Sequence, residues 1–254
     1  MIAARLAVDE TDDDVFVSRE PIDGSHVFGG LLIAQSLRAA ALTVGPHRPA
    51  HSVHASFVAA GTGGEPIRYR VERTRDGSSF ATRRVVAEQD RGTVLVLTAG
   101  FHHDEPGPEY DSPAPLDVPP PEDLPIGRYD SQLFESRDVP VADGHVRRAW
   151  FRPTTPLPTD AELHLQALAF LSDFGATRAA REPFAHLADD ARRQSVSLDH
   201  SIWFHRPVRV DGWLLSELAP VATGQGRGLA LGSIRSRDGV LYATVAQEVL
   251  LRER

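Results

Sequence analysis

Three polar side chains stand where the surrounding pattern favours apolar ones. Around "TVAQEV", period-two alternation puts Leu241, Ala243, Val245, Gln247, Val249 and Leu251 on one strand face, leaving a lone amide in an apolar row. Asp173 follows "LHLQALAFL" near the end of an apolar helix, where the helix dipole disfavours a carboxylate. Ser197 opens "SLDHSIWFHRP", a stretch that gathers hydroxyls, a carboxylate, two imidazoles and a tryptophan between positions 197 and 207. These residue types suit proton transfer involving water. Desolvation raises a carboxyl pKa towards the value a general base needs at neutral pH, and a hydroxyl and an amide can hold the water it acts on. Each also has a plain structural reading: a glutamine bonded to a loop backbone, an aspartate bonding locally before Gly175, a serine starting a strand.

Along 197–206, alternation places Ser197, Asp199, Ser201, Trp203 and His205 on one face and Leu198, His200, Ile202, Phe204 and Arg206 on the other. Ser197 and Asp199 are then aimed together, with Asp199 expected to tie down the strand. Gly29 and Gly30 begin an apolar helix, so their amides could approach a carbonyl or a phosphate as a substrate-binding element; tight packing explains them equally well.

Other chemistries find less support. The chain has no cysteine, which removes disulfides, thiolate nucleophiles and cysteine-ligated metals. His51 with His54, and His102 with His103, are expected on opposite strand faces, so no metal site is expected. Neither a G-x-S-x-G elbow nor a G-x-x-x-x-G-K-[ST] loop occurs. A formal charge of -8 argues against a nucleic-acid partner. The acidic run "DETDDD" near the start and the lack of long apolar runs predict a soluble cytoplasmic protein without a membrane partner. Arg83, Arg84 and Arg227 could meet phosphates, but nothing in the sequence assigns them that role.

The elements that must position these residues fall into two similar halves. Residues 104–127 hold eight of the nineteen prolines and read as a linker between units 1–103 and 128–254. In the first unit a buried helix, Phe28 to Gly45, precedes four strands, "SVHASFVA", "PIRYRVERT", "SFATRRVVAEQ" and "TVLVLTAGFHH". The second repeats the order, with a helix over Glu162 to Gly175 and strands "SLDHSIWFHRPV", "WLLSELAPV", "GLALGSIRSR" and "VLYATVAQEVLL". "HS" recurs 149 positions later and "VL" 146 positions later, in order. An apolar helix followed by a long antiparallel sheet is stable when the sheet wraps it. The expected class is α+β, a double hot-dog of two tandem repeats. At the 146 offset Gln247 corresponds to Phe101, as if one half kept a polar site that the other filled.

The strings "HVFGGLLIAQSL", "HSVHASFV", "YRVERTRDGSSFATRRV", "SLDHSIWFHRP" and "DGVLYATVAQEVLLR", in this order, resemble the acyl-CoA thioesterase II family of double hot-dog enzymes. The resemblance implies hydrolysis of acyl-CoA to free fatty acid and CoA without a cofactor. It implies a catalytic set of Asp173 in "LSDFG", Ser197 before "DHS", where the family more often has threonine, and Gln247 in "TVAQEV". A homodimer or larger assembly is expected, because open sheet edges invite pairing. Two other activities stay open. "HVFGGLLIAQ" approaches a hot-dog dehydratase pattern except that Gln35 replaces its proline, and the fold also suits an acyl-CoA binding protein without catalysis.

Overall fold

The structure, a computed structural model, describes residues 1–19, 24–45, 47–114, 118–140, 145–185 and 193–253. The first half runs α1 (Ile2–Arg5), β1 (Val8–Asp12), β2 (Val15–Ser18), α2 (Gly29–Leu42), β3 (Ala50–Phe57), β4 (Arg68–Asp76), β5 (Phe80–Gln89) and β6 (Gly92–His102). The second runs β7 (Phe134–Val139), β8 (Arg147–Pro153), α3 (Ala161–Leu171), α4 (Ala176–Arg181), β9 (Arg193–Ser197), β10 (Asp199–Phe204), β11 (Leu214–Gly224), β12 (Arg227–Ser236) and β13 (Leu241–Glu253).

The strands join in one antiparallel sheet in the order β1-β2-β4-β5-β6-β3-β10-β13-β12-β11-β8-β7, with β9 also paired to β13. Read inward from either end, the two halves give the same succession, and they meet where β3 pairs with β10. The register carries the repeat as well. Shifting the pair Val53↔Ala99 by 149 and 146 positions gives Ile202↔Val245, a pair the second half forms. Two sheets that each wrap one apolar helix and continue into each other form the expected double hot-dog. Of the proline-rich stretch, residues 115–117 lie outside the described residues; a 3-10 turn forms at Pro121–Asp123, and the Trp150 indole donates to the Pro119 carbonyl at 2.9 Å.

Helix α2 is buried along most of its length because leucine, isoleucine and alanine cover nearly every face. Its last turn is closed by Thr43 and by Arg83, which is 1% exposed. Arg83 donates to the Thr43 hydroxyl at 2.8 Å and carbonyl at 3.0 Å and pairs with Asp76 at 2.6 Å. A guanidinium at the negative end of a buried helix satisfies the orphan carbonyls there, which gives Arg83 a structural post. Arg84 pairs with Glu72 and Arg227 with Glu248.

Helix α3 begins at Asp160, whose carboxylate accepts from the amides of Glu162 and Leu163. It ends at Leu171, earlier than the expected Gly175, so Asp173 lies in the turn beyond it. The two central helices pack side by side and antiparallel: Arg38 donates to Gln166 at 3.1 Å, and a Cβ on Gly30 would fall 2.3 Å from the Phe170 carbonyl oxygen.

Candidate active site

Strands β9 and β10 pair with the same neighbour, β13, but not in continuous register. Ser197 opposes Val249 and Ser201 opposes Ala246, so four steps on one side match three on the other. The extra residue is a bulge at Leu198, and it reverses the alternation. The expected grouping of Ser197 with Asp199 is therefore corrected: Ser197 shares a side with His200. Asp199 holds the bulge, since its Oδ1 accepts the Glu248 amide at 2.7 Å. The Leu198 amide donates to the Glu248 carbonyl, and the Leu198 carbonyl accepts the Phe57 amide of β3, each at 2.9 Å.

The bulge sets Ser197 and His200 around Gln247, which is 1% exposed in the predicted apolar row of β13. Gln247 Nε2 donates to Ser197 Oγ at 2.6 Å, and Oε1 lies 2.5 Å from His200 Nδ1. His200 Nε2 lies 2.8 Å from the Ser172 hydroxyl. Burial pushes the His200 pKa down to about 4, so the ring is neutral at physiological pH and carries one proton. The network assigns that proton. With the amide oxygen towards the ring, Nδ1 carries the hydrogen, and Nε2 competes with the Ala169 carbonyl, also at 2.8 Å, for the single proton of the Ser172 hydroxyl. In this arrangement the amide oxygen is tied to His200 and its nitrogen faces Ser197. The same nitrogen approaches the Asp173 carboxylate closely enough to stabilise its charge.

Asp173 is held from the other half. Its Oδ2 accepts the Gly30 amide at 2.9 Å, a contact of the α3 turn with the first turn of α2. The dipole that disfavours a carboxylate after α3 is thus offset by the positive end of a 14-residue helix. The approach needs glycine, because a Cβ on Gly29 would sit 2.7 Å from Asp173 Oδ2. Phe28 stacks on Phe174 and meets Phe170 edge-on, both at 5.0 Å between ring centres, which makes the surroundings apolar. Burial accordingly raises the Asp173 pKa from 3.8 to about 7, against the lowering effect of Gln247 and Gly30. Part of the residue still reaches the surface.

The structure therefore brings Asp173, Ser197, Gln247 and Gly30 together, while Gly29 supplies close packing. Sequence reasoning missed His200 and Ser172. The signal for His200 was a histidine three positions after Ser197, masked by assuming an unbroken strand. In the first half the position matching Gln247 is Phe101, fully buried in the core.

The histidine pairs also depart from expectation. His51 and His54 are both exposed because β3 has an irregularity between Ala50 and Ser52. Strand β6 ends at His102, so alternation does not separate it from His103, and the two rings stack at 5.0 Å. Together with Glu105 they are the one group among the described residues with three ligand atoms within 4.8 Å of one another. None of the three belongs to the Asp173 network.

Both halves of the chain are similar to known proteins. Residues 18–102 match the acyl-CoA thioesterase N-terminal domain and residues 102–251 the acyl-CoA thioesterase C-terminal domain. Acyl-coenzyme A thioesterase 8 of Homo sapiens is 32% identical over 285 residues, covering 99% of this chain and 89% of its own. Acyl-CoA thioesterase 2 of Haemophilus influenzae is 31% identical over 277 residues, covering 97% and 95%. The solved structure of acyl-CoA thioesterase II TesB2 from Mycobacterium marinum aligns at a TM-score of 0.90 and 36% identity, over 100% of this chain and 99% of that one. With both halves matched over nearly the whole length, the chain belongs to the acyl-CoA thioesterase family.

Proposed function

We propose that the protein hydrolyses acyl-CoA thioesters to free acid and CoA by direct attack of a water molecule activated by Asp173. The observation that carries this reading is a single carboxyl, raised to about 7 and linked through one amide to a serine hydroxyl. A water at Asp173 gives up its proton to the carboxylate as its oxygen bonds to the thioester carbon. Ser197 accepts from Gln247 through its oxygen, and among the described residues its own proton has no acceptor. That proton is available to orient the water or to stabilise the developing oxyanion. Collapse of the tetrahedral intermediate breaks the carbon–sulfur bond, and the thiolate of CoA takes the proton back from Asp173.

Ser197 is not the nucleophile in this scheme. The imidazole behind it, His200, donates Nδ1–H to Gln247 and so offers Ser197 no basic nitrogen, unlike the histidine of a serine hydrolase. A test is thiol release from a panel of acyl-CoAs by wild type and Asp173→Asn. Loss on the order of 100-fold in the folded variant is expected for a lost general base; near-wild-type release removes Asp173 from the mechanism.

We also propose a homodimer or larger assembly in the cytoplasm, since β1 and β7 leave the sheet with two terminal edges, and units 1–103 and 128–254 joined by the 104–127 linker. No helix among the described residues is long and apolar enough to cross a membrane. Light scattering at micromolar concentration tests the assembly, and a monomer there contradicts it.

A further inference from the structure

Immediately beyond Asp173, the chain lines a cleft of unusual composition. Tyr129, Phe151 and Phe174 form an aromatic wall, with Tyr129 and Phe151 each stacked near Phe174. The same cleft is lined by Arg147, Arg148 and Arg178, with Asp138 as its acidic member. Two of these cations are matched: Arg147 donates to Glu182 at 2.6 Å and Arg148 to Glu217 at 2.5 Å. Arg178, on α4, is half-buried, and among the described residues it has no hydrogen bond or ion pair. Burial and the neighbouring charges of Arg147 and Arg128 all bear against its charge, and Asp138 and the Tyr129 hydroxyl only partly relieve it. A half-buried guanidinium without a partner among the described residues, beside two other cations, makes a local positive site in a chain of net charge -8.

We infer that this cleft binds the phosphate-bearing end of CoA, with Arg178 as the principal anion contact. The inference rests on the thioesterase reading and extends it to recognition of the leaving group. The placement is consistent with one ligand spanning both sites. Arg178 is five residues from Asp173, at most about 19 Å along the chain, a span that the extended pantetheine arm can bridge. The aromatic wall gives the less polar part of the same ligand an apolar surface, while the guanidinium fork matches phosphate oxygens.

The test compares acyl-CoA with the corresponding acyl-pantetheine, which lacks the phosphates, for wild type, Arg178→Ala and Arg178→Lys. The ratio of KM on acyl-CoA to KM on acyl-pantetheine should rise about tenfold in Arg178→Ala, the usual effect of losing one charge-assisted bond. It should rise less in Arg178→Lys, which keeps the charge but not the fork. An unchanged ratio overturns the inference while leaving the thioesterase reading intact. Calorimetry with CoA itself separates the two in the other direction: weaker CoA binding by Arg178→Ala supports the cleft even if no acyl-CoA is hydrolysed. If inorganic phosphate binds through Arg178 but CoA binding is indifferent to the substitution, the cleft belongs to free phosphate and the inference fails.

Discussion

Asp173→Asn is expected to stabilise the fold at alkaline pH even as it removes activity. In the folded chain the carboxyl titrates at about 7 instead of 3.8. That difference of about three pKa units, at roughly 1.4 kcal/mol each, makes ionisation of Asp173 cost the fold about 4 kcal/mol at pH 8. The sign follows from a raised pKa: the contribution to stability is fully present below 3.8 and is lost as pH rises through about 7. Asparagine has no charge to bury and keeps an oxygen for the Gly30 amide. Its NH2 group would face the NH2 of Gln247, but the network can invert. Gln247 turns over, His200 moves its proton to Nε2, and Ser172 donates instead to the Ala169 carbonyl, already 2.8 Å away. Allowing about 1 to 2 kcal/mol for imperfect bonds leaves a gain of about 2 to 3 kcal/mol. For a chain of this size that corresponds to a Tm rise of roughly 5 to 10 °C at pH 8. Thermal unfolding followed at pH 5 and pH 8 measures it, and at pH 5 the advantage should shrink to less than half. A variant less stable than wild type at pH 8, or a Tm difference independent of pH, refutes the reasoning.

Three further outcomes are expected. His200→Phe removes the donor that orients Gln247, so kcat should fall about tenfold, equivalent to one hydrogen bond of about 1.4 kcal/mol, with little change in KM; unaltered kcat contradicts the orienting role. Ser197→Thr, which keeps the hydroxyl, should retain most activity and Ser197→Ala a measurable fraction, whereas an acyl adduct on Ser197 consumed at the turnover rate in rapid-quench intact-mass measurements would sink the direct-water scheme. Because Phe101 fills the position that matches Gln247, calorimetry with a non-hydrolysable acyl-CoA analogue should find one catalytic-type site per chain, and two equivalent sites would count against the asymmetry.

Much of this was legible in the residues because periodicity and burial speak directly. The row Leu241 to Val249 is buried as alternation predicted, and the offsets of 149 and 146 reappear as paired registers. Where the sequence misled, a single residue of geometry was responsible. The bulge at Leu198 brings Ser197 and His200 onto one face, and no residue type at 198 announces it. The position of Asp173 depended on where α3 stops, and its partner Gly30 lies 143 positions away. Such contacts come from packing one half against the other, which no local pattern encodes. The end of β6 at His102 likewise determined whether His102 and His103 diverge or stack.

The pH dependence of kcat/KM for acyl-CoA hydrolysis tests the role of Asp173 most directly. Only the ionised carboxylate can accept the proton of water, so the rate should fall on the acid side with a midpoint near 7 and then about tenfold per pH unit. The residual activity of Asp173→Asn should lack that limb. A wild-type profile that stays flat from pH 8 to pH 5, or an acid limb that survives unchanged in Asp173→Asn, would contradict the account.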